Sequence, residues 1–245
     1  MSTQTTINQL KELGLHGMAE SFESMMILPS QKRPSLERAV EKMVEMENCT
    51  RDKKLTEKLL KAAKLRYRVF IEDIICSTER NLTEEQLAEV ADCSFVRRDE
   101  NLLITGLTGC GKSYLACALG RQACTLGMST LFLSMNHFTD DLTKAKLEGT
   151  YQKLLRKLGR KDLIILDDFG LQVLTSEARL ALLTLLEDRY GEKSVIITSQ
   201  LPIDRWYDYI AEPTLADAIM DRLINSSELI QLKGETLRRH QRKDK

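Results

Sequence analysis

The sequence has few of the residues that staple a fold covalently or through metal. It contains six cysteines, none in a CxxC pair, and only three histidines. That excludes a zinc-finger spacing and gives no disulfide framework. Cys49, Cys76, Cys93, Cys110, Cys117 and Cys124 therefore read as reduced, mostly buried thiols. No apolar run approaches the length needed to cross a bilayer, so no membrane partner is expected. Met1 to Asn8 is polar and lacks the apolar stretch of a signal peptide, which points to a cytoplasmic protein. An excess of one charge is missing too: 36 basic and 36 acidic residues give a formal net charge of +0. Affinity for nucleic acid would have to come from a local patch. Internal repeats and low-complexity tracts are absent.

What is present suits a folded chain of one large or two small domains, with 42% hydrophobic and 29% charged residues in 245. Two textures divide it. Residues 1–94 are rich in Glu, Lys, Leu, Met and Ala, with only Pro29 and Pro34 to interrupt them, and read as an all-helical region. Ile7, Leu10, Leu13 and Leu15 mark a first short helix. Ser35 caps a helix carrying Leu36, Ala39, Val40, Met43 and Met46, and a further helix is expected from about Asp52 to Val69. Thr83 with Gln86 resembles a capping box. Residues 95–245 alternate strand and helix. Strands are expected at Leu102–Ile104, Thr130–Leu133, Leu163–Leu166, Ser194–Thr198 and Leu229–Leu232, with helices at Lys112–Leu126, Asp140–Leu147, Tyr151–Leu158, Ser176–Tyr190 and Pro213–Leu223. Such alternation predicts an α/β fold with a parallel sheet covered by helices on both faces.

Gly106-Leu107-Thr108-Gly109-Cys110-Gly111-Lys112-Ser113 fits GxxxxGK[ST], between an expected strand and an expected helix. The glycines let backbone N–H groups curl toward phosphate oxygens, and the helix end adds positive potential. Lys112 is expected on the β- and γ-phosphates of ATP, Ser113 on Mg²⁺, and Tyr114 in the nucleotide-contacting set. Cys110, beside those N–H groups, is expected to be a reactive thiolate whose alkylation blocks ATP binding. The apolar third strand ends in Asp167-Asp168. Asp167 is expected to hold Mg²⁺ and Asp168 to orient the attacking water, the other reading being caps of the turn at Phe169-Gly170. At the end of the fourth strand, Gln200 and then Thr198 are candidates for the γ-phosphate or the water, against ordinary turn polarity. Arg51, Lys53, Lys54, Lys58, Lys61, Lys64, Arg66 and Arg68 form a basic face over a few helical turns. Composition alone leaves this equally a solvated surface or a phosphate-binding one.

Several runs together resemble the IstB-type helper ATPases of bacterial insertion sequences, in the AAA+ class beside the DnaC-type helicase loaders and the initiator DnaA. They are Ala62–Tyr67, Ile71–Ile74, Asn101–Gly106, Leu166–Leu171, Leu186–Tyr190, Ile197–Pro202, Pro213–Ile219, Asp221–Leu223 and Leu232–Arg238. The resemblance covers nearly the whole chain. It implies an AAA+ ATPase domain over 95–245 with a minimal or absent lid, and a DNA- or partner-binding front over 1–94. Asp168 then stands at the catalytic carboxylate position, Gln200 at a sensor position, Arg222 at the arginine finger that reaches a neighbouring subunit's ATP, and Arg238 at a second sensor. The resemblance also favours DNA as the target of the basic face, with little sequence specificity, and a transposase as partner of an ATP-formed homo-oligomer. A helicase loader of the DnaC type and a nucleotide-switched DNA-binding module with little turnover share the same motifs.

Overall fold

The computed structural model describes residues 2–237. Two compact units are resolved by their internal contacts, Met1–Lys58 and Leu59–Lys245.

The first unit is helical. Helix α1 (Thr3–Glu12) is capped by the Ser2 hydroxyl, and α2 (His16–Ile27) follows. Helix α3 spans Leu36–Ala63 without interruption. The two helices expected over this stretch are therefore one, because neither Gly nor Pro falls between Leu36 and Ala63. Gly17 of α2 lies directly on the backbone of Met46 and Glu47, a contact that leaves no room for a side chain. That approach lets the buried Glu47 carboxylate accept the Gly17 N–H at 2.8 Å and the Met18 N–H at 3.2 Å. The free donors at the start of α2 thus meet a negative charge. Arg51, one turn on, hydrogen-bonds the same carboxylate at 2.7 Å and holds its pKa below the ordinary range.

Helix α3 stops at Ala63, where Lys64 adopts a left-handed φ of 53°. Residues 64–69, expected as helix, continue instead as irregular chain. Two short helices follow, α4 (Glu84–Ala91) and α5 (Ser94–Arg97). The capping box forms as the sequence suggests, with Gln86 N donating to Thr83 Oγ1 at 3.1 Å and Thr83 N to Gln86 Oε1 at 3.0 Å.

The sheet comprises β1 (Asn101–Gly106), β2 (Thr130–Ser134), β3 (Leu163–Phe169), β4 (Ser194–Ser199) and β5 (Ser227–Leu232). All neighbours are parallel, in the order β2-β3-β4-β1-β5. Between the strands lie α6 (Lys112–Thr125), α7 (Met135–Leu147), α8 (Tyr151–Gly159), α9 (Ser176–Glu187), α10 (Trp206–Ile210) and α11 (Pro213–Ile224). Alternate strand residues enter two separate cores. Leu103, Ile164, Leu166, Val195 and Ile197 pack with α7 to α11, whereas Leu102, Ile104, Leu163, Ile165 and Ile196 pack with α4, α5 and α6. A strand buried on both faces reads as a continuous apolar run, which is how β3 and β4 stand in the sequence. Helix α7 starts five residues before its expected position, because Ser134 ends β2 and caps the helix by accepting the His137 N–H.

Candidate nucleotide-binding site

β1 lies inside the sheet between β4 and β5, so the loop after Gly106 opens at the carboxyl ends of the strands. In open parallel sheets that is where ligands sit. Gly106, Gly109 and Gly111 all take positive φ, and α6 begins at Lys112 directly after the last of them. The Lys112 ammonium folds back over the loop and donates to Gly106 O at 2.7 Å and Leu107 O at 2.9 Å.

Asp167 is the hub of the site and is fully buried. Its Oδ1 accepts from Ser113 Oγ at 2.6 Å and Thr198 Oγ1 at 2.5 Å. Its Oδ2 accepts from Arg66 Nη1 at 3.3 Å. Burial of an unpaired carboxylate would be costly, and these three donors remove that cost. Ser113 and Asp167 present hard oxygens side by side, the donor chemistry Mg²⁺ prefers. Asp168 is turned out of the strand. The β3–β4 register shifts between Leu166 and Phe169, and Asp168 has a left-handed φ of 62°. Its N–H donates to Thr198 Oγ1 at 3.1 Å, and its carboxylate lies 3.6 Å from Arg66. A non-glycine residue in this conformation stores strain, so something must hold it there, and the Thr198 bond does so.

A cavity of about 240 Å³ adjoins these groups. Its lining combines Tyr67, Ile74 and Tyr114 with Lys112, Asp168 and Gln200. The Tyr67 and Tyr114 rings lie 5.8 Å apart. A cavity lined by aromatic and aliphatic side chains together with a phosphate-type loop has the polarity a nucleotide requires. Gln200 faces Thr108, whose hydroxyl donates to Gln200 Oε1 at 2.6 Å.

The structure thus brings together Lys112, Ser113, Asp167, Asp168, Thr198, Gln200 and the 106–111 loop. It separates Arg222 from them. That side chain hydrogen-bonds Glu187 at 3.0 Å and Ala218 O at 2.9 Å, and Asn101 Nδ2 bonds the Arg222 carbonyl at 3.0 Å. Arg222 therefore sits at the amino end of β1, about 17 Å of strand away from the loop at the other end. It does not reach the loop of its own chain. Arg238 lies outside the described residues.

The expected basic face is only partly realised. Lys53, Lys54, Lys58 and Lys61 are exposed on α3, and Arg51 is exposed while paired with Glu47. Lys64 and Arg68 are exposed beyond the helix end. Arg66 does not continue the helical row: the helix stops at Ala63, and the half-exposed Arg66 guanidinium turns to Asp167 and Asp168. Burial alone would lower the pKa of this guanidinium, but the charges of Tyr67, Asp167 and Asp168 hold it above its usual value. Cys110 also departs from expectation. Its side chain is 1% exposed and belongs to the core beneath the loop, so the thiol faces away from a reagent in solution.

Sequence reasoning missed Arg80. Its Nη2 donates to Cys110 O at 2.8 Å and its Nη1 to Ile75 O at 2.8 Å. Nothing in its sequence neighbourhood marks it, because the bond to the loop spans 30 residues.

Comparison with known proteins supplies the family. The chain is 40% identical over 244 residues to the insertion-sequence ATP-binding protein y4pL of Sinorhizobium fredii, covering 99% of each chain. It is 40% identical over 203 residues to the ATP-binding protein of insertion sequence IS1162 from Pseudomonas fluorescens, covering 82% of this chain and 88% of that one. Among solved structures, the DnaC helicase loader superposes with a TM-score of 0.58 at 21% identity, over 70% of this chain and 100% of that one. The replication initiator DnaA, bound to AMPPCP and single-stranded DNA, gives a TM-score of 0.59 at 19% identity, over 70% of this chain and 52% of that one. These structures establish the AAA+ fold. The profile of the IstB-like ATP binding proteins matches residues 8–245, and the chain belongs to that family.

Proposed function

We propose that this protein is a DNA-stimulated ATPase that assembles on duplex DNA in the cytoplasm and assists a transposase. The observation that carries the reading is the convergence of Ser113, Thr198 and Arg66 on the buried Asp167, at the mouth of the 106–111 loop. In this reading the loop N–H groups and Lys112 hold the phosphates of ATP. Ser113 and Asp167 hold Mg²⁺, which when bound supplies positive charge to the phosphate oxygens. Asp168, aimed outward by its backbone, orients the attacking water and accepts its proton. Gln200 monitors the γ-phosphate from the tip of β4. Arg222, unable to reach its own loop, serves the ATP of a neighbouring copy, which makes turnover depend on assembly.

DNA is held by the exposed lysines of α3, Lys53, Lys54, Lys58 and Lys61, together with Arg51, Lys64 and Arg68. Such contacts are made to phosphates and carry little sequence preference. The insertion-sequence relatives favour a transposase as the partner. The DnaC-like fold keeps a helicase loader as the second reading, which requires preference for single strands.

The test reverses Lys58 and Lys61 to Glu. Duplex affinity at low salt is expected to fall by at least tenfold, with a shallower salt dependence. Unchanged affinity and slope would remove α3 as the DNA face. Lys112→Ala is expected to abolish nucleotide binding or turnover, and retained turnover would remove the phosphate loop from the reading.

A further inference from the structure

Arg80 precedes the phosphate loop by 26 residues and belongs to none of the motifs that define it. Yet it lines the same cavity and ties Ile75 to the phosphate loop. One arm of its guanidinium bonds Ile75 O and the other bonds Cys110 O in the loop, each at 2.8 Å. Its own backbone is fixed as well, because Arg80 O accepts the Lys233 N–H at 2.9 Å at the end of β5.

The Cys110 bond has a geometric consequence. The chain contains no cis peptide among the described residues. In a planar trans peptide the C=O and the following N–H point in opposite directions. Holding the Cys110 carbonyl on Arg80 therefore fixes the direction of the Gly111 N–H as well. Gly111 is the last residue before α6, and its φ is 93°. A Cβ at Gly111 would come within 2.8 Å of Arg80 Nη2, so the guanidinium lies directly against this peptide. Loss of that bond releases the Cys110 carbonyl and with it the fixed direction of the Gly111 N–H.

We infer that Arg80 is a positioning residue for the phosphate loop: it fixes the 110–111 peptide so that the Gly111 N–H serves the β-phosphate. The β-phosphate is the natural target because Lys112, one residue on, reaches the β- and γ-phosphates. The inference rests on the nucleotide reading of the loop. Arg80 contributes by preorganisation, and a charge-assisted N–H to phosphate bond is what its loss removes.

Affinities for ADP and AMP, measured by competition with a fluorescent nucleotide on the full chain, test this directly. In Arg80→Met the ADP-to-AMP affinity ratio is expected to fall about tenfold, because only ADP carries the β-phosphate. The fall is expected to persist at about 0.5 M salt, where a charge acting through solvent is screened. Arg80→Lys keeps a donor for the Cys110 carbonyl and is expected to restore most of the ratio. Arg80→Gln repeats the test with a shorter uncharged chain should the Met variant fold poorly, as judged by thermal melting without nucleotide. An unchanged ratio, with ADP and AMP weakened together, would show that Arg80 only packs the cavity lining, and the inference would fall. A parent protein that does not prefer ADP over AMP would instead overturn the nucleotide reading.

Discussion

Thr198→Val isolates the hydroxyl on which both aspartates depend. Valine has nearly the shape of threonine, so the fully buried site keeps its packing and loses only two hydrogen bonds. The bond to the Asp167 carboxylate belongs to the charged class, worth about 1.5–3 kcal/mol. Ser113 and Arg66 still serve Asp167, which favours the lower end. The Asp168 N–H loses its acceptor, which adds about 1–2 kcal/mol. Together the loss is about 2.5–3.5 kcal/mol, or a fall of roughly 5–14 °C in melting temperature for a domain of this size. Thr198→Ser keeps the hydroxyl and removes one methyl, costing about 1 kcal/mol. The order of the two variants is diagnostic. Urea unfolding of the nucleotide-free protein should rank Thr198→Val well below Thr198→Ser. Turnover should follow the same order: without the Thr198 bond, Asp168 relaxes from its left-handed φ and its carboxylate swings away. ATP hydrolysis by Thr198→Val is expected to drop at least about tenfold while ADP binding stays close to that of the parent. If Thr198→Ser is the more damaged variant, methyl packing governs the site and the hydrogen-bond account of Asp168 is wrong.

Other expectations concern chemistry, assembly and the thiols. Asp168→Asn should bind ATP as the parent does yet hydrolyse it at least tenfold more slowly; equal rates would remove Asp168 as the group that activates the water. Arg222→Ala should leave ATP binding by isolated subunits intact and lower turnover only under conditions that drive assembly, measured as rate against protein concentration. Cys93 and Cys117 are pushed up to about 12 and about 11 by burial. A raised folded-state pKa contributes stability that is present below the unfolded value, near 9, and lost as pH rises toward the folded value. Urea midpoints should therefore decline between pH 9 and 11, and less steeply in a Cys117→Ala variant. At neutral pH, a maleimide should label the exposed Cys49 long before the buried Cys110, and labelling at Cys49 alone should leave ATP binding unchanged. Rapid labelling of Cys110 would show that the loop opens.

Much of the site was legible because its signals are local. The 106–113 loop, the Asp167-Asp168 pair and the capping box at Thr83 each occupy a few consecutive residues whose arrangement follows from backbone geometry. Strand periodicity failed to matter for β3 and β4 only because both faces are covered, and their continuous apolar runs announced that. What was hidden depends on contacts between distant residues. Arg66 looked like one more base in a helical row. Its role came from the left-handed Lys64, where the helix ends with no glycine or proline to mark the stop, and from a bond across 101 residues to Asp167. Arg80 was silent for the same reason. Cys110 was misjudged because the loop's N–H groups were considered without the direction of the side chain, which packs inward against the core.

The central claim is that nucleotide state controls assembly on duplex DNA. The most direct measurement is mass photometry or sedimentation of the protein with duplex or single-stranded DNA, in the presence of ATP, ADP or a non-hydrolysable ATP analogue. The account predicts large assemblies on duplex with the analogue that disperse with ADP. Preference for single strands, or assemblies on duplex that form equally with ADP, would contradict it.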